Sequence, residues 1–413
     1  VEQYVEVTNL ETTFTRNSAP EKHFDHYGGG IHCHQINRVH NIRCQFVENE
    51  LGDASGGYFK RINTFNSVSC ILKMNRKANS GGGYYLVYTN YSTLIRDLFV
   101  GNTAFLKAGA VMFFKVLMTS IESCEFQNNT SNEHGGAVVF EEMLMVAIKS
   151  CKFQNNTSKQ DGGAVVFYML SMITIKSCKF LNNICNRDGG AIKCLNCSFF
   201  DITLSELRDN FGIWGGILLW NVRYATCMNI TCIKNKAKVG AAIEIRDFKV
   251  FNISWSIFSR NFAKEDGGAL KAVVGETCVA DEHVISIKYS SFSENRAKDG
   301  GAITLVNPMT LFNIHISFSN NFAEERGGSL FSYKSGTIRN NNCRFQKNKA
   351  KYGGVFKIDQ SQIVLNEHSL LINNKAFLGS VIDFNDGNKI VYNKSIFIDN
   401  IAHGVGTVYL TGV

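Results

Sequence analysis

The stretches "SCEFQNNTSNEHGGAVVF" (residues 123–140), "SCKFQNNTSKQDGGAVVF" (residues 150–167) and "SCKFLNNICNRDGGAIKC" (residues 177–194) are close copies of one another. They start at positions 123, 150 and 177, which are 27 residues apart. A short, regular period of this kind is typical of solenoids, in which each repeat contacts only its neighbours.

Two markers of the repeat recur in phase through most of the 413 residues. The first is a glycine pair, whose second member is Gly136, Gly163 or Gly190 in the three quoted copies. The second is F-x-x-N, found among other places at Phe126/Asn129, Phe153/Asn156, Phe180/Asn183, Phe258/Asn261 and Phe292/Asn295. Short alternating segments rich in β-branched residues lie between the markers, as in "MITIKSCKF", and indicate β-strands.

The repeat predicts an all-β fold, a single-stranded parallel β-helix of about 15 rungs with about 27 residues each. We expect residues 1–27 to form an N-terminal cap or a first irregular rung. Residues 28–413 would form the β-helix domain, with a longer loop at about residues 272–284.

Stacking of the rungs gives each repeated residue a structural role, because equivalent side chains become columns. The phenylalanines are expected to stack in the core. The asparagines are expected to form a ladder where a strand ends, each amide bonding its own turn and the asparagine of the next rung. The glycine pair suits a corner that needs a positive φ or close packing. We therefore expect these residues to be structural, with no catalytic residue and no metal or cofactor among them.

Composition and charge exclude several function classes. The formal net charge of +8 is a mild excess for this length, and no basic run or recognition module points to nucleic acid. No apolar run approaches the roughly 18 to 20 residues that span a bilayer, so no membrane span is expected in this segment.

The in-phase "GGA[IVL]" and F-x-x-N motifs resemble the repeats of the polymorphic membrane proteins, a family of chlamydial and trichomonad-like surface proteins. The resemblance covers nearly the whole chain, from about Phe14 to Val405. It implies a right-handed β-helix at the cell surface or outside the cell, often with an adhesive role.

Cysteines fall into two groups. Six occupy one register two residues before the phenylalanine marker, where serine replaces them in other rungs, which indicates a column of small residues. Cys194 and Cys197 have the spacing of half a zinc site, but no second pair follows, so a local disulfide is the better hypothesis. Cys227 and Cys232 could also pair, with each other or with neighbours.

Several N-x-S/T sequons would carry glycans on exposed turns of a secreted eukaryotic protein. Asn129 and Asn156 belong to the predicted ladder and are poor acceptors if they are buried. The better candidates for glycosylation are Asn90, Asn128, Asn155, Asn229, Asn252 and Asn393.

The chain shows no catalytic constellation. Polysaccharide hydrolysis needs two converging carboxylates, and the N-T-D, D-D and G-H-G motifs of pectin-cleaving β-helix hydrolases are absent. The acids that recur before the glycine pairs, such as Asp161 and Asp188, are typical of turns. We therefore expect a protein that is not an enzyme.

The most consistent interpretation is a surface adhesin or structural rod that contacts a protein or glycan on a cell surface. A subunit of a larger filament or surface assembly, contacting copies of itself or other subunits, is the first alternative, and a polysaccharide-cleaving enzyme is the second. Contact residues are expected in the 272–284 loop, in the tyrosines from Tyr84 to Tyr91, and in the variable turns "SNEH" (131–134), "SKQD" (158–161) and "CNRD" (185–188).

Overall fold

The regular structure of the chain consists of parallel β-strands. The structure is a computed structural model that describes residues 4–19, 28–275, 283–307 and 309–412. The described residues contain no helix and form about 14 turns of a β-solenoid with a spacing of about 27 residues. The prediction of an all-β parallel β-helix is confirmed.

The chain divides into two compact units. The first comprises Val1–Asp201 with Asn210–Gly212, and the second comprises Ile202–Asp209 with Ile213–Val413. Each unit is built from the same three kinds of strand, because each rung passes through the same three faces.

In the first unit, the widest face contains the strands Glu6–Leu10, Ile31–His34, Arg38–Ile42, Gly57–Lys60, Thr64–Val68, Tyr84–Val87, Tyr91–Ile95, Val111–Phe114, Met118–Glu122, Val138–Lys149, Val165–Lys176 and Ile192–Thr203, the last of which ends in the second unit. The second face contains Thr13–Thr15, Gln45–Val47, Ile71–Lys73, Leu98–Val100, Glu125–Gln127, Lys152–Gln154 and Lys179–Leu181. The third face contains Ala78–Ser80, Thr103–Lys107, Thr130–Ser131, Thr157–Ser158 and Ile184–Cys185.

In the second unit, the widest face contains Ile217–Met228, Ile243–Arg246, Val250–Ser254, Leu270–Val273, Val284–Lys288, Ile303–Val306, Thr310–Ile314, Leu330–Tyr333, Thr337–Asn341, Phe356–Asp359, Ile363–Glu367, Ile382–Asn385, Lys389–Asn393 and Val408–Thr411. The second face contains Glu206–Arg208, Thr231–Ile233, Ile257–Ser259, Ser291–Ser293, Ser317–Ser319, Arg344–Gln346, Leu370–Ile372 and Ile396–Ile398. The third contains Lys236–Ala237, Phe262–Ala263, Arg296–Asp299, Phe322–Arg326, Lys375–Leu378 and Ile401–Val405.

The phenylalanines of the repeat lie in the core of each unit. Phe126 faces Phe153 in the register, and the ring centroids are 4.7 Å apart with nearly parallel planes. Phe153 stacks in turn on Phe180 at 4.9 Å. In the second unit, Phe258 and Phe292 stack at 4.7 Å. Burial removes each ring from water, and stacking adds about 0.5–1.5 kcal/mol per pair.

The asparagines of the repeat are buried and bond from rung to rung. Nδ2 of Asn129 donates to Oδ1 of Asn156 over 3.0 Å and to the backbone O of Phe99 over 3.0 Å. Oδ1 of Asn129 accepts from both the backbone N and Nδ2 of Asn102. Each amide therefore satisfies backbone groups of a corner that is closed to water.

The same pattern continues along the ladder in both units. Nδ2 of Asn183 donates to Oδ1 of Asn210 over 3.0 Å in the first unit. In the second unit, Nδ2 of Asn261 donates to Oδ1 of Asn295 over 3.0 Å, and Nδ2 of Asn295 donates to Oδ1 of Asn321 over 3.1 Å.

The structure corrects one detail of the predicted ladder. The sequence suggested that each amide also bonds its own turn. Instead, Nδ2 of Asn183, Asn261 and Asn295 donates its second bond to a backbone O of the preceding rung, at the residue in the phenylalanine slot. Each amide therefore connects three successive rungs, because its two Nδ2 bonds run in opposite directions along the solenoid.

The two glycines of a pair have different roles. Gly135 has a φ of 65°, a conformation that residues with a Cβ adopt at a cost of about 1–2 kcal/mol. Gly136 has an ordinary φ, but a Cβ there would clash with the carbonyl O of Gly163 in the next rung, and one on Gly163 would clash with that of Gly190. The pair thus turns the corner and lets successive backbones approach each other.

In most rungs the cysteine register supplies a hydrogen-bond acceptor, although Ile230 and Ile316 occupy it in two rungs of the second unit. Sγ of Cys151 accepts from the backbone N of Cys124 over 3.4 Å. Oγ of Ser290 accepts in the same way from the backbone N of Ser256 over 3.0 Å. Asp97 occupies this slot in its rung and accepts from the backbone N of Cys70 over 2.7 Å. The interchange of cysteine and serine follows from this shared acceptor role.

Two sequence-based predictions lie partly outside the described residues. In the predicted cap at 1–27, residues 1–3 and 20–27 lie outside them, while Glu6–Leu10 and Thr13–Thr15 pair in register with the following rung. In the predicted loop at 272–284, residues 276–282 lie outside them, between the strands Leu270–Val273 and Val284–Lys288.

Candidate functional site

The ends of the variable turns of the first unit come together in one column. Lys107, His134 and Asp161 are bridged in parallel from rung to rung, and Asp188 ends the next turn. Three of these residues belong to the turns "SNEH", "SKQD" and "CNRD", which the sequence singles out as variable. Because the rungs stack in register, turn residues that are far apart in sequence become direct neighbours.

A buried lysine connects the carboxylates of this column. Nζ of Lys193 lies 2.9 Å from Oδ2 of Asp161 and 2.8 Å from Oδ2 of Asp188. Nδ1 of His134 approaches the same Asp161 oxygen at 3.1 Å. Burial raises the pKa of Asp161, but the hydrogen bonds from His134 and Lys193 outweigh burial and hold that pKa below its usual range.

A cavity of ≈ 280 Å³ lies beside this network. One wall is charged, because Nζ of Lys107 and Oε2 of Glu141 form an ion pair at 2.9 Å next to the Asp161 network. The rest of the lining is the ring of Tyr168 and the apolar side chains of Val139, Val166 and Leu195.

One oxygen in this lining lacks a partner. Asp161 is only 5% exposed, and its Oδ1 has no hydrogen-bond partner among the described residues. A buried acceptor left unpaired costs about 1–3 kcal/mol, so a donor that reached Oδ1 would recover that cost.

The second unit repeats the local motif without this network. The sequence "DGGAIK" at 188–193 recurs as "DGGALK" at 266–271, and Nζ of Lys271 lies 2.7 Å from Oδ2 of Asp266. The next acid of that column, Asp299, accepts two hydrogen bonds from the guanidinium of Arg326 at 2.9 and 2.8 Å. Both turn acids of the second unit are therefore neutralised by their own neighbours.

An exposed ladder of aromatic rings lies on the second unit. The rings of Trp255 and Tyr289 stack with centroids 4.4 Å apart, and Tyr289 stacks on His315 at 5.2 Å. Trp255 is 58% exposed and Tyr289 is 45% exposed. All three have a positive φ of 49° to 54°, because they occupy the corner before the cysteine/serine column.

This aromatic ladder forms one side of a groove of ≈ 560 Å³. Asn229 and Asn342 occupy the same column as the rings, and Arg344, Ile257 and serine side chains complete the lining. Neither the ladder nor the groove emerges from the sequence, because the three rings are of different types and the longer rung after Gly268 interrupts the period. The available signal was their common position, one residue before the cysteine/serine slot.

The cysteines of the proposed disulfides are buried. The thiols of Cys194 and Cys197 are free and hydrogen-bond to each other, and burial raises the pKa of Cys194. Cys227 lies in a strand of the widest face, whereas Cys232 fills a slot of the phenylalanine column, opposite Phe258. The disulfide pairings stay predictions.

The sequon asparagines divide by exposure. Asn129 and Asn156 are buried in the ladder, and the favoured acceptors Asn90, Asn128, Asn155, Asn229, Asn252 and Asn393 are all exposed. Their glycosylation stays a prediction. Of the tyrosines proposed as contacts, Tyr84 is fully buried in the core, and Tyr88 and Tyr91 are exposed.

The described residues contain neither a metal-binding cluster nor a membrane-spanning helix. No group of three or more His, Cys, Asp or Glu side chains in that part of the chain is placed to hold a metal ion. No helix there is long and apolar enough to cross a membrane.

Residues 123–141, which include the first quoted repeat, match the family model described as the Chlamydia polymorphic membrane protein repeat. This match and the β-solenoid fold fit a β-helix protein of the polymorphic-membrane-protein repeat type. This repeat and the fold together fit a surface β-helix protein.

Beyond the match to the polymorphic-membrane-protein repeat, the chain has little similarity to known proteins. No curated protein matches the chain. Among solved structures, the chain is similar to a PL6 family alginate lyase, AlyGC, with 10% sequence identity and a TM-score of 0.23. That similarity covers 98% of this chain and 88% of the lyase chain.

Proposed function

We propose that the protein is a non-enzymatic adhesin at a cell surface or outside the cell, and that its partner is a protein or a glycan on another surface. The observation that carries this proposal is the exposed ladder of Trp255, Tyr289 and His315 beside its groove. Tryptophan and tyrosine are the residues that most often dominate binding energy at interfaces.

The stacked arrangement favours binding in a second way. Rings that are already ordered against each other lose little side-chain entropy when a partner binds. The groove also combines apolar ring surface with hydroxyl, amide and guanidinium groups, which suits the mixed polar and apolar surface of a protein or glycan.

Support for a non-catalytic role comes from the pairing of the turn acids. Asp188, Asp266 and Asp299 each contact a basic side chain, which suits a structural charge network. The alternatives remain a subunit of a surface assembly and a polysaccharide-cleaving enzyme, and cleavage of a polysaccharide in the experiment below would reveal the second.

The proposal is tested with the whole chain immobilised on beads and exposed to cell monolayers, extracellular matrix proteins and a glycan array. We expect binding that falls at least about tenfold when Trp255 and Tyr289 are both changed to alanine, since hot-spot side chains contribute about 2 kcal/mol or more.

Leu204→Ala is the matched control. Leu204 occupies the same corner position in the second unit, is 52% exposed and has a φ of 50°. Unchanged binding by this variant would locate the effect in the ring ladder. Wild-type protein that binds no cell, matrix protein or glycan would overturn the proposal, as would cleavage of a polysaccharide on the array.

A further inference from the structure

The cavity of the first unit differs from the aromatic groove in its chemistry. It is small and partly apolar, and one wall contains ion pairs. The two lysines and two carboxylates that line it, Lys107, Lys193, Glu141 and Asp161, balance in charge. A strongly charged ligand would therefore gain little from this lining.

The lining nevertheless offers both donors and acceptors. An ammonium group has three N–H donors, and the bond to Glu141 uses one of those on Lys107. Lys193 uses two donors on its carboxylates. On the acceptor side, Oδ1 of the almost fully buried Asp161 is unpaired. A ligand that fits must both donate and accept over a short distance, and a hydroxyl group does both.

The apolar part of the lining adds a second requirement. Val139, Val166 and Leu195 line the cavity together with the ring of Tyr168, which pairs in register with Glu141. A ligand therefore needs C–H groups as well as hydroxyl groups. The volume of ≈ 280 Å³ lies just below the roughly 300 Å³ at which ligand pockets commonly start, so the cavity accommodates one ring rather than a polymer.

We propose that the cavity beside His134, Asp161 and Lys193 binds one neutral hexopyranose, through hydroxyl contacts with Asp161 and Lys107 and packing of the sugar ring on Tyr168 and Val166. The ligand is either a free sugar or the terminal residue of a glycan. This site is independent of the proposed groove, because the two lie in different units and use different residues.

The experiment uses the whole chain and saturation-transfer-difference NMR with the methyl glycosides of glucose, galactose, mannose and N-acetylglucosamine. We expect at least one to bind. We expect Asp161→Asn to weaken the affinity for that glycoside at least about tenfold, which corresponds to the loss of one hydrogen bond to a charged group. Tyr168→Ala, at a half-buried position, is a second variant that retains the charge network and should also weaken binding.

Two control variants make the result specific. Asp266→Asn changes the corresponding turn acid of the second unit, and Trp255→Ala changes the groove, so both should bind the sugar as the wild type does. Oligosaccharides that end in the same hexose show whether the ligand is a free sugar or the end of a glycan. A site for a glycan terminus binds both the oligosaccharide and the methyl glycoside, whereas a site for a free sugar binds the methyl glycoside alone.

The proposal is overturned if the folded wild type binds none of the four glycosides, or if Asp161→Asn and Tyr168→Ala bind as tightly as the wild type. Loss of sugar binding in Trp255→Ala would also overturn it, because the groove would then be the sugar site. Loss of cell binding in Trp255→Ala with sugar binding retained would support both proposals separately.

Discussion

Asp97 places a carboxyl group in a column that cysteine and serine occupy in most other rungs. Its side chain is 1% exposed, Oδ1 accepts from the backbone N of Cys70, and Oδ2 has no partner among the described residues. Burial raises the pKa of Asp97 to about 7, although the hydrogen bonds from Cys70 and Ser67 oppose the shift. We predict that Asp97→Asn stabilises the first unit at alkaline pH.

The sign and size follow from proton linkage. An unfolded aspartate has a pKa of about 3.9, so between about pH 4 and pH 7 the folded state holds a proton on Asp97 that the unfolded state has lost. The free energy of unfolding therefore falls as the pH rises through this window, by about 4 kcal/mol in total. The asparagine keeps the acceptor for Cys70 and removes the titration.

The assay measures the free energy of unfolding of the wild type and of Asp97→Asn by denaturant titration, at about pH 4 and about pH 8. Hydrogen exchange of peptides between Phe65 and Phe99, read by mass spectrometry, reports on the first unit alone. Taking the difference between the two proteins cancels every other titrating group. We expect this difference to grow in favour of the variant by about 4 kcal/mol from the lower to the higher pH.

Asp97→Ser supplies the control for packing. Serine fills the same slot at Ser256 and Ser290, so the variant keeps an acceptor, although it leaves more empty space than asparagine. Its baseline stability should differ from that of Asp97→Asn, but its dependence on pH should be the same. A difference from the wild type that stays constant across the pH range, in both variants, would refute the reasoning.

Three further predictions concern the first unit and its glycans. Asn129→Ala should lower the free energy of unfolding by about 2–5 kcal/mol in denaturant titration, because two buried donors of Asn102 lose their acceptor. Changing the exposed neighbour, Asn128→Asp, should lower it by about 0.5 kcal/mol or less. Equal effects of the two changes would contradict the ladder. Lys193→Met should cost about 3–5 kcal/mol, because it removes the lysine from two buried carboxylates and leaves Asp161 only His134. Lys271→Met should cost less, because it affects one partly buried carboxylate, and the reverse order would count against the network. After secretion from eukaryotic cells, glycopeptide mass spectrometry should find a glycan on Asn128 and none on Asn129, and the opposite pattern would contradict the burial of the ladder.

The fold could be predicted because it depends on residues that repeat. Phe126 and Asn129 recur at a constant interval, and only stacked rungs explain why a core residue and a corner residue keep such a period. The different structural roles of the two glycines in a pair could not be predicted from the sequence, because a positive φ and a close backbone approach both favour glycine.

The candidate sites were harder to predict because they depend on residues that do not repeat. His134 and Asp161 could be noticed as variable turn ends, but only the register shows that they contact each other and share a partner in Lys193. That lysine lies in a strand, five residues after Asp188, and nothing in its own rung marks it apart from the "DGGAIK" motif. The rings of Trp255 and Tyr289 belong to no repeated motif, and only stacking brings them together.

The direction of the asparagine ladder has a consequence for the order in which rungs assemble. Within the first unit, the backbone N and Nδ2 of Asn102 donate forward to Oδ1 of Asn129, and Nδ2 of Asn129 donates forward in turn to Oδ1 of Asn156. If rungs were added in this direction, the last rung would present unpaired donors, and the asparagine oxygen of the next rung would accept from them. Each rung would thus set the position of the next one. Growth in this way would be polar, like that of a filament, and a rung without its asparagine would leave the donors of the preceding rung unpaired at that point.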